Sequence, residues 1–120
     1  MKYIGVVGSR EFNNEELLFR TLNGFLEQFT YITLVSGGAK GADTLAKKYA
    51  ISKNINIIEY LPDYEKYGKI APFVRNTQII EKSELVIACF RTDLPCNGTK
   101  DSVHKASEHD IPVIFLMSEF

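Results

Sequence analysis

Five short apolar runs punctuate the chain, at residues 3–7, 31–35, 55–58, 85–88 and 112–116. The first is nearly continuous instead of alternating, which suits a strand buried on both faces. Between the runs the apolar positions take helical spacing. Leu18, Leu22, Phe25, Leu26 and Phe29 form one stripe; Ala42, Leu45, Ala46, Tyr49 and Ala50 form a second, at i, i+3, i+4, i+7 and i+8. Phe73, Val74, Thr77 and Ile80 predict the inner face of a third helix, with Pro72 in its first turn. A fourth, opened by Gly98 or Thr99, carries Val103 and Ala106. Asn13 is placed to cap the first helix, with Glu16 completing a capping box, and Asn54 punctuates the end of the second. Strand and helix alternate throughout, which predicts right-handed βαβ units and one α/β domain over residues 1–120. Its sheet has about five parallel strands, with helices on both faces.

In such a sheet, ligands bind outside the carboxyl ends of the strands, at the topological switch point. The segments expected there are Gly8-Ser9-Arg10, residues 36–43, residues 59–70 and residues 90–99. All are rich in glycine, hydroxyl or charged residues, whereas the opposite connections are short and plain. Residues 59–70, with Pro62, Asp63, Tyr64, Tyr67, Gly68 and Lys69, show no clean period, and a loop of that length is often functional. The run Ser36-Gly37-Gly38-Ala39-Lys40-Gly41-Ala42-Asp43 reads as strand, glycine turn, helix. Glycines let backbone approach a ligand closely, and the unpartnered N–H groups opening a helix favour an anion. The spacing is neither G-x-G-x-x-G nor a Walker loop. A tight connection with glycines for packing alone is the competing reading.

Composition narrows the chemistry. At 45% hydrophobic and 24% charged residues the chain is an ordinary globular protein, and a net charge of −1 supplies no basic track for nucleic acid. The opening apolar run is too short for a signal peptide, and nothing is long enough to span a membrane, so a cytoplasmic protein is expected. Cys89 and Cys96 suggest no disulfide framework, and Cys89 reads as a small buried side chain. His104 and His109 stand about 140° apart on a helix, so no metal site is expected. Arg10 suits a bidentate grip on phosphate or carboxylate, or a surface pair with Glu11 or Glu15. Asp43 sits where a carboxylate complements the helix dipole or meets a ribose hydroxyl. Arg75 either reaches over the sheet edge or stays solvated beside Asn76. Gly98-Thr99 is a second anion cradle or a plain N-cap. Tyr64 and Tyr67 stack on a base or close their loop.

Taken in order, Gly8-Ser9-Arg10-x-Phe12, Val35 through Asp43 with Leu45-Ala46, Tyr67-Gly68-Lys69, Arg75-Asn76 and Gly98-Thr99 resemble the small YspA/YpsA-type proteins of the SLOG superfamily. That superfamily includes the LOG-type phosphoribohydrolases and the DprA-type single-stranded DNA binders. The resemblance implies a Rossmann-like three-layer sandwich binding a nucleotide-derived ligand, ADP-ribose- or NAD-related or a nucleoside phosphate, with no cofactor required. The implied ligand contacts are Gly8, Ser9, Arg10, Ser36, Gly37, Gly38, Ala39, Gly41, Ala42, Asp43, Tyr67, Lys69, Arg75, Asn76, Phe90, Gly98 and Thr99. It also implies a homodimer or higher homo-oligomer. One position departs: LOG enzymes carry a glutamate three residues after the threonine of their Gly-Thr turn, where this chain has Ser102. A serine cannot stabilise an oxocarbenium-like centre as a carboxylate does, so a binder is favoured over an enzyme. Hydrolysis would have to draw its acid or base from Asp43, Asp63 or Asp101.

Overall fold

The computed structural model describes residues 2–29, 31–93 and 97–119, with backbone alone at 97 and 98. In chain order the elements are β1 (Lys2–Gly8), α1 (Glu15–Gln28), β2 (Ile32–Ser36), α2 (Ala42–Lys53) and β3 (Asn56–Glu59). Then follow α3 (Tyr64–Tyr67), a 3₁₀ turn (Gly68–Ile70), α4 (Ala71–Lys82), β4 (Leu85–Arg91), α5 (Asn97–Glu108) and β5 (Val113–Ser118). The sheet order is β3-β2-β1-β4-β5 and every pairing is parallel. This is the Rossmann-like three-layer arrangement that the resemblance implies.

Strand alternation feeds two cores, because successive side chains leave opposite faces. Ile4 and Val6 of β1, Leu34 of β2 and Ile87 of β4 meet Leu18 and Leu22 of α1 and Ala46 and Tyr49 of α2. Val7, Val35, Val86 and Ala88 turn the other way, onto Ile79 and Ile80 of α4 and Ala106 of α5. Tyr49 is fully buried; its hydroxyl donates to Asn23 Oδ1 at 2.7 Å and its ring meets Phe19 edge-on. The chain leaves β1 toward β2 and later crosses back to β4, so the switch point lies between β1 and β4.

Several local expectations shift. Asn14, not Asn13, caps α1: its Oδ1 accepts from Leu17 N at 3.1 Å. Leu17 therefore occupies the third helical position, and Glu16 cannot close a capping box. Residues 59–70 are irregular only at 60–63: Glu59 ends β3, and 64–70 are helical. Asp63 Oδ1 accepts from Lys66 N at 3.1 Å and caps α3, which runs through the 3₁₀ turn into α4. On α4, which starts at Ala71, the buried residues are Ala71, Asn76, Ile79 and Ile80, and Phe73 is left 49% exposed. α5 begins at Asn97, so Gly98 and Thr99 lie inside its first turn. Cys89 is a buried free thiol, whereas Cys96 lies outside the described residues.

Candidate functional site

A cavity of about 300 Å³ opens beside the switch point. Gly8 ends β1 there, followed by Ser9, Arg10 and Glu11; Ala39 and Asp43 come from the β2–α2 turn. α4 supplies Pro72, Phe73, Arg75, Asn76 and Ile79, and α5 supplies Thr99 and Ser102. Both Thr99 and Ser102 are buried. Ser102, which stands where the LOG pattern has its glutamate, thus presents a hydroxyl-bearing residue to the cavity.

The glycine turn is closed against the protein itself. Arg75 Nη1 donates to the Gly37 carbonyl at 2.8 Å, and a Cβ on Gly37 would collide with that guanidinium. Gly38 takes φ 69°, and a Cβ there would lie 2.6 Å from Leu61 Cδ2 and 2.8 Å from Glu59 Oε2. Gly41 takes φ 77°, ψ −125°, and a Cβ there would overlap the Ser9 and Arg10 carbonyls. Gly8 is equally tight, since its Cβ would sit 2.6 Å from Ala42 Cβ. Glycine is needed here so that the β1–α1 and β2–α2 turns can interlock. The member of the turn that faces the cavity is Ala39.

Beneath Ala39 lies Asp43, whose Oδ2 accepts from Ala39 N at 3.1 Å. Burial pushes its carboxyl up to about 6, while the Ala39 N–H and the Arg75 charge pull it partly back. Ser36 is buried at the end of β2, and its Oγ accepts from Gly38 N at 3.3 Å. Ser9 Oγ donates to Glu11 Oε2 at 2.7 Å, which orders the loop carrying the exposed Arg10. Cys89 underlies the site; burial, then the Asp43 charge, push its thiol up to about 12. At that value it is no thiolate nucleophile.

A relay of hydrogen bonds ties α5 to the glycine turn. Lys105 Nζ donates to Asp101 Oδ2 at 2.9 Å and to the Phe73 carbonyl at 2.6 Å. Asn76 Nδ2 donates to the same Asp101 oxygen at 3.1 Å. Arg75 Nε donates to Asn76 Oδ1 at 3.1 Å, and Nη1 ends the chain on Gly37. Asp101 is therefore engaged in positioning α4.

Of the residues proposed from sequence, Gly8, Ser9, Arg10, Ala39, Asp43, Arg75, Asn76 and Thr99 line this cavity. Gly37, Gly38, Gly41 and Ser36 shape the turn behind Ala39. Ala42 is buried in the core under α2. Phe90 stacks on Phe115 at 5.9 Å on the α5 side of the sheet. Tyr67 lines a neighbouring cavity, whereas Lys69 lies exposed in the 3₁₀ turn. Asp63 is the α3 cap. Sequence reasoning missed Glu11 and Lys105. The i, i+4 spacing of Asp101 and Lys105 was a readable signal; Glu11 was legible only as a partner for Arg10, whereas in the fold it accepts from Ser9 Oγ.

The description "YspA, cpYpsA-related SLOG family" (YAcAr) belongs to a family profile that matches residues 4–67. The Gene 61 protein of Mycobacterium phage D29 is 28% identical, with 95% of each chain covered. Solved folds agree. DNA processing protein A from Helicobacter pylori, described for its single-stranded DNA binding mode, superposes with TM-score 0.71 at 20% identity over 95% of this chain. DprA from Streptococcus pneumoniae gives TM-score 0.77 at 18% identity over 96%. The protein TM1055 gives 0.71 at 16% identity, over 94% of this chain and 72% of its own. The chain spans 64% and 50% of the two DprA chains, so these likenesses speak for the fold alone. Among the described residues no helix is long and apolar enough to cross a membrane.

Proposed function

Starting from the premise that this chain belongs to the YspA, cpYpsA-related SLOG family, we propose that it binds a small nucleotide-derived ligand in the switch-point cavity. The ligand is a nucleoside phosphate or an ADP-ribose- or NAD-related molecule. It is held in the cytoplasm of a bacterium or phage-infected cell, where the protein senses or sequesters it. One observation carries the reading: Arg10, Arg75, Asn76 and Thr99 converge from three elements on one cavity at the carboxyl ends of β1 and β4. Its volume of about 300 Å³ stands at the lower end of the ~300–1,000 Å³ usual for ligand pockets, which suits one nucleotide unit. The phosphate would meet Arg10 and Arg75, with Thr99 adding a hydroxyl; the Ala39 amide is already held by Asp43.

Calorimetry and thermal shift with AMP, ADP-ribose, NAD and cyclic ADP-ribose isomers test this. A binder raises the melting temperature by mass action, and Arg10→Ala should remove most of the shift. No shift with any nucleotide at millimolar concentration would end the proposal.

Asp43 supports a second reading, nucleotide hydrolysis. A carboxyl raised to about 6 beside a cavity is a candidate acid or base. Chromatographic release of base or phosphate, abolished by Asp43→Asn, would establish it; a nucleotide recovered intact would refute it. Single-stranded DNA binding is disfavoured by the net charge of −1.

A further inference from the structure

A second cavity, of about 270 Å³, lies on the far side of Arg75, between the end of β3 and the α3–α4 hairpin. Arg75 lines both cavities. Its Nε and Nη1 are held by Asn76 and Gly37, and its Nη2 makes no hydrogen bond among the described residues. The guanidinium is thus fixed in place with one edge open, between two spaces of nearly equal size.

The walls of the second space differ in character from those of the first. Tyr67 offers an aromatic ring and Leu61, 65% exposed, an apolar face. Gln78 supplies an amide, and Glu59 a carboxylate braced by Lys47 at 3.3 Å. A flat apolar wall suits a nucleobase. An amide that both donates and accepts suits its edge. A braced carboxylate accepts from sugar hydroxyls. Lys66 and Asp63 also line this space, and their opposite charges offset each other.

We propose that this second cavity is a subsite for the other half of a two-part ligand: two nucleoside-like units joined by phosphates, with the phosphate bridge seated on Arg75. The proposal rests on the nucleotide-binding reading above and extends it to the ligand's second half. Neither space alone matches such a molecule, and together they offer one unit to each side of a single fixed cation.

Calorimetry on the full chain with AMP, ADP and diadenosine pyrophosphate tests it. ADP adds charge without a second nucleoside. The expected result is one diadenosine pyrophosphate per chain, bound about tenfold or more tighter than ADP, the scale of one base-stacking contact. Tyr67→Ala and Gln78→Ala should each weaken the dinucleotide several-fold and leave AMP unchanged. Gln78 is exposed on α4, so its variant keeps the fold even if Tyr67→Ala does not. Equal affinity for ADP and the dinucleotide overturns the bridge, as does binding of two AMP molecules per chain that do not compete with it. AMP binding without any effect of the second-cavity variants also overturns the subsite while leaving the nucleotide reading intact. If none of the three binds, both fall together.

Discussion

Replacing Gly41 by alanine probes the contact on which the cavity's shape depends. Its backbone, at φ 77° and ψ −125°, is close to glycine-only territory, where a side chain costs about 1–3 kcal/mol. The new Cβ would also overlap the Ser9 carbonyl and crowd Arg10, and both neighbouring groups are backbone that cannot rotate away. Such overpacking costs a further ~1–3 kcal/mol. The lost flexibility of the unfolded chain returns about 0.4–1 kcal/mol. The net loss is about 1–5.5 kcal/mol, a large part of the ~5–15 kcal/mol that holds a domain of this size together. At roughly 4 °C per kcal/mol the melting temperature should fall by about 4–20 °C. Gly24 is the internal control. It lies mid-helix in α1 with nothing within 4 Å of a Cβ, so Gly24→Ala should raise stability by about 0.5–1 kcal/mol. Thermal melts followed by circular dichroism, with amide spectra of Ser9 and Arg10, read both effects. A Gly41→Ala protein that melts within 3 °C or so of wild type, with those amides unmoved, would refute the interlocked turns.

Three further outcomes follow from the same geometry. Asp43 has a folded pKa near 6, above the ~3.9 of an unfolded chain, so the native state binds more protons between about pH 4 and 6. The stability contributed by this group is therefore present at the acid side of that window and declines as pH rises through it, by up to about 3 kcal/mol. Urea denaturation of wild type and Asp43→Asn at pH 4.5 and 7.5 should show the variant gaining on wild type at the higher pH; parallel profiles would contradict this. Asp101→Ala breaks the relay from Lys105 to Arg75 and should cost about 1–3 kcal/mol by leaving partners unsatisfied. It should also loosen Arg75, seen as faster exchange of its Nε proton, and an unchanged exchange rate would mean the relay positions nothing. Cys89 should stay unmodified by a thiol reagent in the native protein and react only on unfolding, because it is buried and its pKa stands at about 12.

Much of the architecture was legible because periodicity is a direct consequence of burial. The Ala42, Ala46, Tyr49, Ala50 stripe is the buried face of α2 as its spacing predicts. Where the reading slipped, the cause was local competition between equivalent signals. Asn13 and Asn14 are equally good caps on paper; in the fold Asn14 takes the role, and its Nδ2 also donates to Ser118 Oγ of β5 at 3.3 Å. On α4 the apolar Phe73 looked like an inward residue, yet a polar Asn76 takes the buried position because it has Arg75 and Asp101 to satisfy it. Two expected ligand residues moved for a similar reason: Ala42 and Phe90 found apolar partners within the fold.

By itself the sequence determined the alternation of strand and helix, the parallel sheet, and the glycine-rich turn after the second strand. These depend on side-chain period and backbone freedom, which are properties of neighbours along the chain. The tertiary structure alone decided what the glycines are for and where the open space lies. Gly37 gives way to an arginine 38 residues later, and Gly41 to a carbonyl 32 residues earlier. Contacts across such separations exist only once the strands have paired in the order β3-β2-β1-β4-β5. No local pattern encodes that a fixed guanidinium will stand between two cavities.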